Sequence, residues 1–123
     1  MEETRVFSRY LQAIWALQSR YFFVRSVDVA RYLQCSKAAV SMALKQLVAR
    51  QLVVCAPDGA LSLTPEGEDR ARQTAERCAC LCRWLIQSGV APSAAEQEAC
   101  AIERILSPAS YEAIRRSLEI QAG

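Results

Sequence analysis

The chain has 123 residues, 52% of them apolar, which suffices for one ordinary domain or two small packed units with a filled core. Lys and Arg number 15 and Asp and Glu 13, so a net charge of +2 excludes a polybasic coat or an acidic tail and leaves only a local basic patch. No apolar run reaches the roughly 20 residues of a membrane span, because Arg20, Arg25, Lys45 and Arg50 interrupt the longest ones.

Between Arg5 and Gln18 the apolar residues Val6, Phe7, Tyr10, Leu11, Ile14, Trp15 and Leu17 recur at spacings of three and four, which predicts an amphipathic helix. Tyr21 to Arg25 is a short aromatic and β-branched stretch, and Ser26 is read as the cap of a two-turn helix carrying Val27, Val29, Ala30 and Leu33. Only Gln34 and Cys35 separate it from Ser36, the cap of a third helix that ends near Arg50. Leu52 to Cys55 has strand composition, Pro57-Asp58-Gly59 has turn chemistry, and Leu61-Ser62-Leu63 alternates as a returning strand should, so a β-hairpin follows. Thr64-Pro65, with Glu66 and Glu68 in the first turn, starts a long helix that meets no breaker before Ser88-Gly89. Pro92-Ser93 opens another helix and Ser107-Pro108 the last, with Tyr111, Ile114 and Leu118 on one face.

Three helices, the last two joined by a tight turn, followed at once by a hairpin, is the order of a winged helix-turn-helix. The predicted fold class is mainly α, with this unit over residues 1–66 and a helical dimerisation and effector unit over residues 67–123. A capped helix start turns free N–H groups toward DNA phosphates while its first turns reach base edges. The candidate DNA-contact residues are therefore Ser36, Lys37, Ala38, Ala39, Ser41 and Lys45, with Asp58 and Gly59 at the wing tip. No Arg, Asn or Gln stands in the first two turns for a bidentate base contact, so readout leans on shape and thymine-methyl contacts. Arg31, Arg50, Arg70 and Arg72 are further phosphate-contact candidates. A winged helix can equally serve as a protein-binding module, and the modest charge keeps that alternative open.

The chain has no His, the commonest general base and metal ligand. It also lacks a Gly-rich phosphate loop, a paired Cys-x-x-Cys zinc spacing and a nucleophile elbow, so catalysis is not expected. Met1 to Arg5 is no basic flank to an apolar signal segment, which makes the cytoplasm the expected compartment and thiols the expected state of the six cysteines.

The stretch from Leu52 to Gly67, closing on Thr64-Pro65-Glu66-Gly67, resembles the wing and following helix start of the metal-dependent repressors related to diphtheria toxin repressor and the manganese transport regulators. Tyr10 to Leu17 is similar to that family's first helix, and Glu98-Ala99-Cys100-Ala101-Ile102-Glu103 to its metal-binding segment. The resemblance covers nearly the whole chain and matches the shorter, two-part members. It implies a homodimeric transcriptional repressor bound to a palindromic operator in double-stranded DNA, and a divalent metal that sets the DNA-binding heads.

Position by position, the resemblance implies Cys78, Cys82, Cys100 and Glu103 as metal ligands. Arg104 stands in place of a His ligand, and Arg9 and Gln12 stand at ligand positions of the first helix. An Arg cannot coordinate a metal. Three sulfurs and one carboxylate would suit zinc, iron or another thiophilic ion better than manganese, which prefers oxygen. Two other mechanisms fit the same residues. In one, no metal binds, and Arg9 and Arg104 replace its charge by pairing with Glu103 or Glu96. In the other, the thiols form a redox switch, with Arg77 and Arg83 favouring thiolate. Cys35, Cys55 and Cys80 are read as small buried hydrophobes. Trp15, Trp84, Tyr10 and Phe23 are read as packing residues. Ile102, Ile105, Leu106, Ile114 and Leu118 are either dimer contacts or core within the chain.

Overall fold

The computed structural model describes residues 7–122. Arg5 and Val6, with which the first predicted helix begins, lie outside them. Among the described residues the order is α1 (Ser8–Gln18), α2 (Ser26–Leu33), α3 (Lys37–Ala49), β1 (Val53–Cys55), β2 (Leu61–Leu63), α4 (Pro65–Gln87), α5 (Pro92–Ile105) and α6 (Pro108–Ala122). This is the mainly helical winged-helix architecture. The chain divides into two compact units between Arg72 and Gln73, inside α4.

In the first unit α1 packs against α2, α3 and β2, and α3 packs against β1. Leu11, Ile14, Val29, Val40, Leu47 and Leu52 are nearly or fully enclosed there, which is the periodic face of each helix turned inward. The two strands pair antiparallel with Val53 opposite Leu63 and Cys55 opposite Leu61. On the other edge of β2, Leu61 N–H donates to Val24 O at 2.7 Å, so the aromatic stretch before α2 adds a single bridge to the sheet. Its exposed side is Tyr21, Phe22 and Phe23, and Phe22 is 96% exposed.

Capping decides where these helices begin and end. Arg25, not Ser26, occupies the cap position of α2: the Asp28 carboxylate accepts a hydrogen bond from the Arg25 N–H at 2.9 Å, and Ser26 is already helical. The hydroxyl of Ser36 caps α3 by accepting from Ala39 N–H at 3.1 Å. Gln34 turns the chain between α2 and α3 at φ 55°, a left-handed conformation usually given to Gly. At the hairpin, Ala56 N–H donates to Ala60 O at 2.8 Å, and Asp58 accepts from Ala60 N–H at 3.0 Å, with Gly59 at φ +89°. Thr64 then caps α4, accepting from Gly67 N–H at 3.0 Å while donating to Gln51 O at 2.7 Å.

The second unit comprises the rest of α4 with α5 and α6. Leu81 and Leu85 of α4 close on Ala95 and Ala99 of α5, and Trp84, Ile102, Leu106, Tyr111 and Ile114 pack around them. Gly89 ends α4 at φ +105°, where Val90 N–H reaches Leu85 O at 2.9 Å and Gly89 N–H reaches Ile86 O at 3.0 Å. Pro92 opens α5, and Ser107 opens α6 by accepting from Ser110 N–H at 3.1 Å. Ile102, Leu106 and Ile114 pack against this core and Leu118 is buried, whereas Ile105 is 79% exposed. Among the described residues no helix is long and apolar enough to cross a membrane.

Candidate nucleic-acid interface and thiol cluster

The inward face of α3 is Val40, Ala43, Leu44 and Leu47. That leaves Lys37, Ala38, Ser41 and Lys45 exposed on the opposite side, with Ala39 half-buried. The arrangement follows from a 3.6-residue period and a cap that holds the first turn rigid. Met42 belongs to the same outer face and is 71% exposed. An open groove is lined by Ser41, Lys45 and Val48 of α3 together with Ser26, Cys55 and Gly59. The outer face of α3 and the tip of the wing therefore share one concave surface. Its lining supplies the Lys45 ammonium, the hydroxyls of Ser26 and Ser41 and small or apolar side chains, and Lys37 adds a second ammonium on the exposed start of α3, a set that can meet phosphates and base methyl groups. Asp58 spends one carboxylate oxygen on the Ala60 N–H, so its role is to shape the tip.

In the second unit the thiols of Cys78 and Cys100 come together across α4 and α5. The Cys78 thiol is half-buried, and burial, the Cys100 thiol and the nearby Glu103 carboxylate push it up to about 12, against a smaller opposite pull from Arg104. A thiol so placed stays protonated near neutral pH, contrary to the expectation that Arg77 and Arg83 favour a thiolate there. Glu103 is buried at 8% exposure and ends a stripe with Ala95 and Ala99 along α5.

Arg77, which the sequence reading placed only beside the thiols, faces Glu103 at 3.9 Å, and its guanidinium carbon lies 5.3 Å from the centre of the Tyr111 ring. Arg104 and Arg9 make contacts within their own units. Arg104 donates to Cys100 O at 3.3 Å, and Arg9, in the first unit, donates to Leu33 O at 3.5 Å and lies over the Tyr10 ring.

Cys82 packs against the second core, and Cys100 is exposed. Among the described residues no group of three or more thiol or carboxylate donors is gathered to hold a metal ion. Cys78, Cys100 and Glu103 thus lie near one another, but with a guanidinium facing the carboxylate and no such group of donors gathered, the arrangement does not fit a bound metal. Cys80 is buried beside Tyr111, whose hydroxyl is pushed up to about 12 first by burial and then by its hydrogen bond to Cys80. Cys35 packs against the first core, as a small hydrophobe should, but Cys55 is exposed on the wing, where both faces of a two-stranded ribbon cannot be covered. Tyr10 is buried and Trp84 packs in the second core, whereas Phe23 and Trp15 are substantially exposed.

Comparison with known proteins agrees with this architecture. Residues 64–120 match the family described as iron dependent repressor, metal binding and dimerisation domain. The transcriptional regulator MntR of Escherichia coli O6:H1 is 31% identical over 106 residues, spanning 86% of this chain and 68% of that protein. Among solved structures, a manganese-dependent transcriptional repressor in complex with manganese superposes with a TM-score of 0.82 at 24% identity, over 92% of this chain and 52% of that one. The IdeR protein of T. acidophilum superposes with a TM-score of 0.74 at 19% identity, over 91% of this chain and 53% of that one. The chain spans about half the length of these two solved structures.

Proposed function

The chain belongs to the iron-dependent repressor family, and from that premise we propose that it is a cytoplasmic DNA-binding transcriptional repressor that acts as a homodimer on a palindromic operator. It is a regulator and not a catalyst. The observation that carries this reading is the single groove shared by Ser41 and Lys45 of the capped helix α3 and Gly59 of the wing. Helix α3 lies in the major groove, Lys37 and Lys45 meet phosphates, and Ala38, Ser41 and Met42 meet base edges. The wing tip at Asp58 and Gly59 rests on the adjacent backbone.

The family match over residues 64–120 supports a second unit given to dimerisation. Ile105 is a suitable contact between copies because it is the large apolar side chain of α5 left outside the core.

The test is selection of duplex sequences by the reduced full-length chain from a random pool, followed by affinity measurement across salt concentrations. Recovery of a two-fold symmetric site, with a slope near −0.9 per phosphate neutralised, is expected. A protein that enriches no sequence and shows no salt-dependent duplex binding is a winged-helix protein-interaction module instead. Titration of the metal-free, reduced protein with cobalt(II) tests the other assignment implied by resemblance, a thiophilic metal on Cys78, Cys82, Cys100 and Glu103. Intense sulfur-to-metal charge-transfer bands near one equivalent, lost in Cys100→Ser and kept in Cys80→Ser, would establish that site.

A further inference from the structure

We infer that Arg77 stands in for a bound cation in the helical unit, so that the buried carboxylate of Glu103 is neutralised by the chain itself and operator binding needs no divalent ion. The inference rests on the DNA-binding reading above and concerns how that activity is regulated. A carboxylate at 8% exposure is costly to keep charged without a countercharge. Arg77 supplies one from the neighbouring helix at 3.9 Å. Its guanidinium is permanently charged and, unlike a metal ion, cannot dissociate. The Tyr111 ring, 5.3 Å from the guanidinium carbon, gives it a second attachment on α6, so one side chain joins α4, α5 and α6.

A divalent ion approaching Glu103 would meet this charge at close range and that of Arg104, which acts on the adjoining Cys78. Among the described residues no group of three or more thiol or carboxylate donors is arranged there to hold it.

The experiment uses the full chain, reduced, on the duplex recovered by selection, with a chelator in one arm and manganese(II) or zinc(II) in the other. Operator affinity is expected to differ between the arms by less than about 5-fold, the lower edge of ordinary allosteric coupling. A larger gain on adding either ion overturns the inference while leaving the DNA-binding reading standing. A chain that binds no duplex in any arm sinks that reading instead.

Melting without DNA decides the inference independently. The wild-type midpoint is expected to be the same with chelator, manganese(II) or zinc(II). Arg77→Ala is expected to melt lower and to regain part of the loss when either ion is added, and Arg77→Lys is expected to stay near wild type. A wild-type midpoint that rises with metal, or an Arg77→Ala protein as stable as wild type, overturns the assignment.

Discussion

Gly67 lies against the backbone of Leu52 so closely that an added β-carbon would sit 2.1 Å from the Leu52 carbonyl oxygen. The Thr-Pro-x-Gly sequence acquires a mechanical meaning from this contact. Thr64 supplies the cap, Pro65 presets the first helical dihedral, and Gly67 lets the start of α4 press onto the strand-leading residue of the wing. Gly67→Ala is expected to cost about 1–3 kcal/mol, because a backbone carbonyl cannot swing aside as a flexible side chain would. Urea unfolding followed by circular dichroism measures it as a lower midpoint at unchanged slope. An unchanged midpoint would mean that the contact is not native.

Neutralising Lys37 and Lys45 together, as Lys37→Gln with Lys45→Gln, should weaken duplex binding without changing stability, since both side chains are exposed. The plot of log affinity against log salt should become shallower by about two units, close to one for each lost phosphate contact. A slope equal to wild type would remove both residues from the DNA interface.

Ser36 has two roles that substitution can separate. Ser36→Ala loses the hydrogen bond from Ala39 N–H and should cost about 1 kcal/mol. Ser36→Asp keeps a capping oxygen and the stability of α3, yet places a negative charge where phosphates are expected, so it should bind DNA far more weakly than its melting point suggests. Parallel loss of both properties in both variants would show that the cap matters to folding alone.

The left-handed Gln34 predicts a gain. A side chain at φ 55° costs about 1–2 kcal/mol relative to glycine, so Gln34→Gly should raise stability by a few tenths to about 1 kcal/mol once the greater freedom of the unfolded glycine is subtracted. Thermal unfolding of the two proteins side by side is sufficient, and a fall in midpoint would show that the Gln34 side chain makes a compensating contact.

Alkaline pH should destabilise the helical unit. Cys78 is raised from 9.0 to about 12 and Tyr111 from 10.0 to about 12, so the folded chain holds protons that the unfolded chain has released. Their contribution to stability is complete below about pH 9 and is lost progressively as the pH rises toward 12. Denaturant midpoints across this window should fall, and the fall should be less steep in Cys78→Ser. Equal steepness would place the titration elsewhere.

The helix starts were legible because their signals are local: Ser36, Thr64 and Ser107 each accept from an N–H three residues on, and Pro65 and Pro92 preset the first helical dihedral. The cap of α2 was misread for the same kind of reason, since Asp28 reaches back from inside the helix and leaves Ser26 nothing to cap. The winged-helix order could be read from element succession alone. Which cation meets Glu103 could not, because helical spacing fixes a face but not the reach of a long side chain. Arg104 shares a helix with Glu103 and bends to a carbonyl, whereas Arg77 reaches Glu103 from α4.

The wing also bears on solubility. Its sheet is only three residues long on each side, one edge is occupied where Leu61 bonds Val24, and Pro57 follows closely on β1 with no N–H to offer. A free edge this short gives an arriving strand too few hydrogen bonds to dock, so the hairpin can stand out in solvent at high protein concentration without seeding fibres.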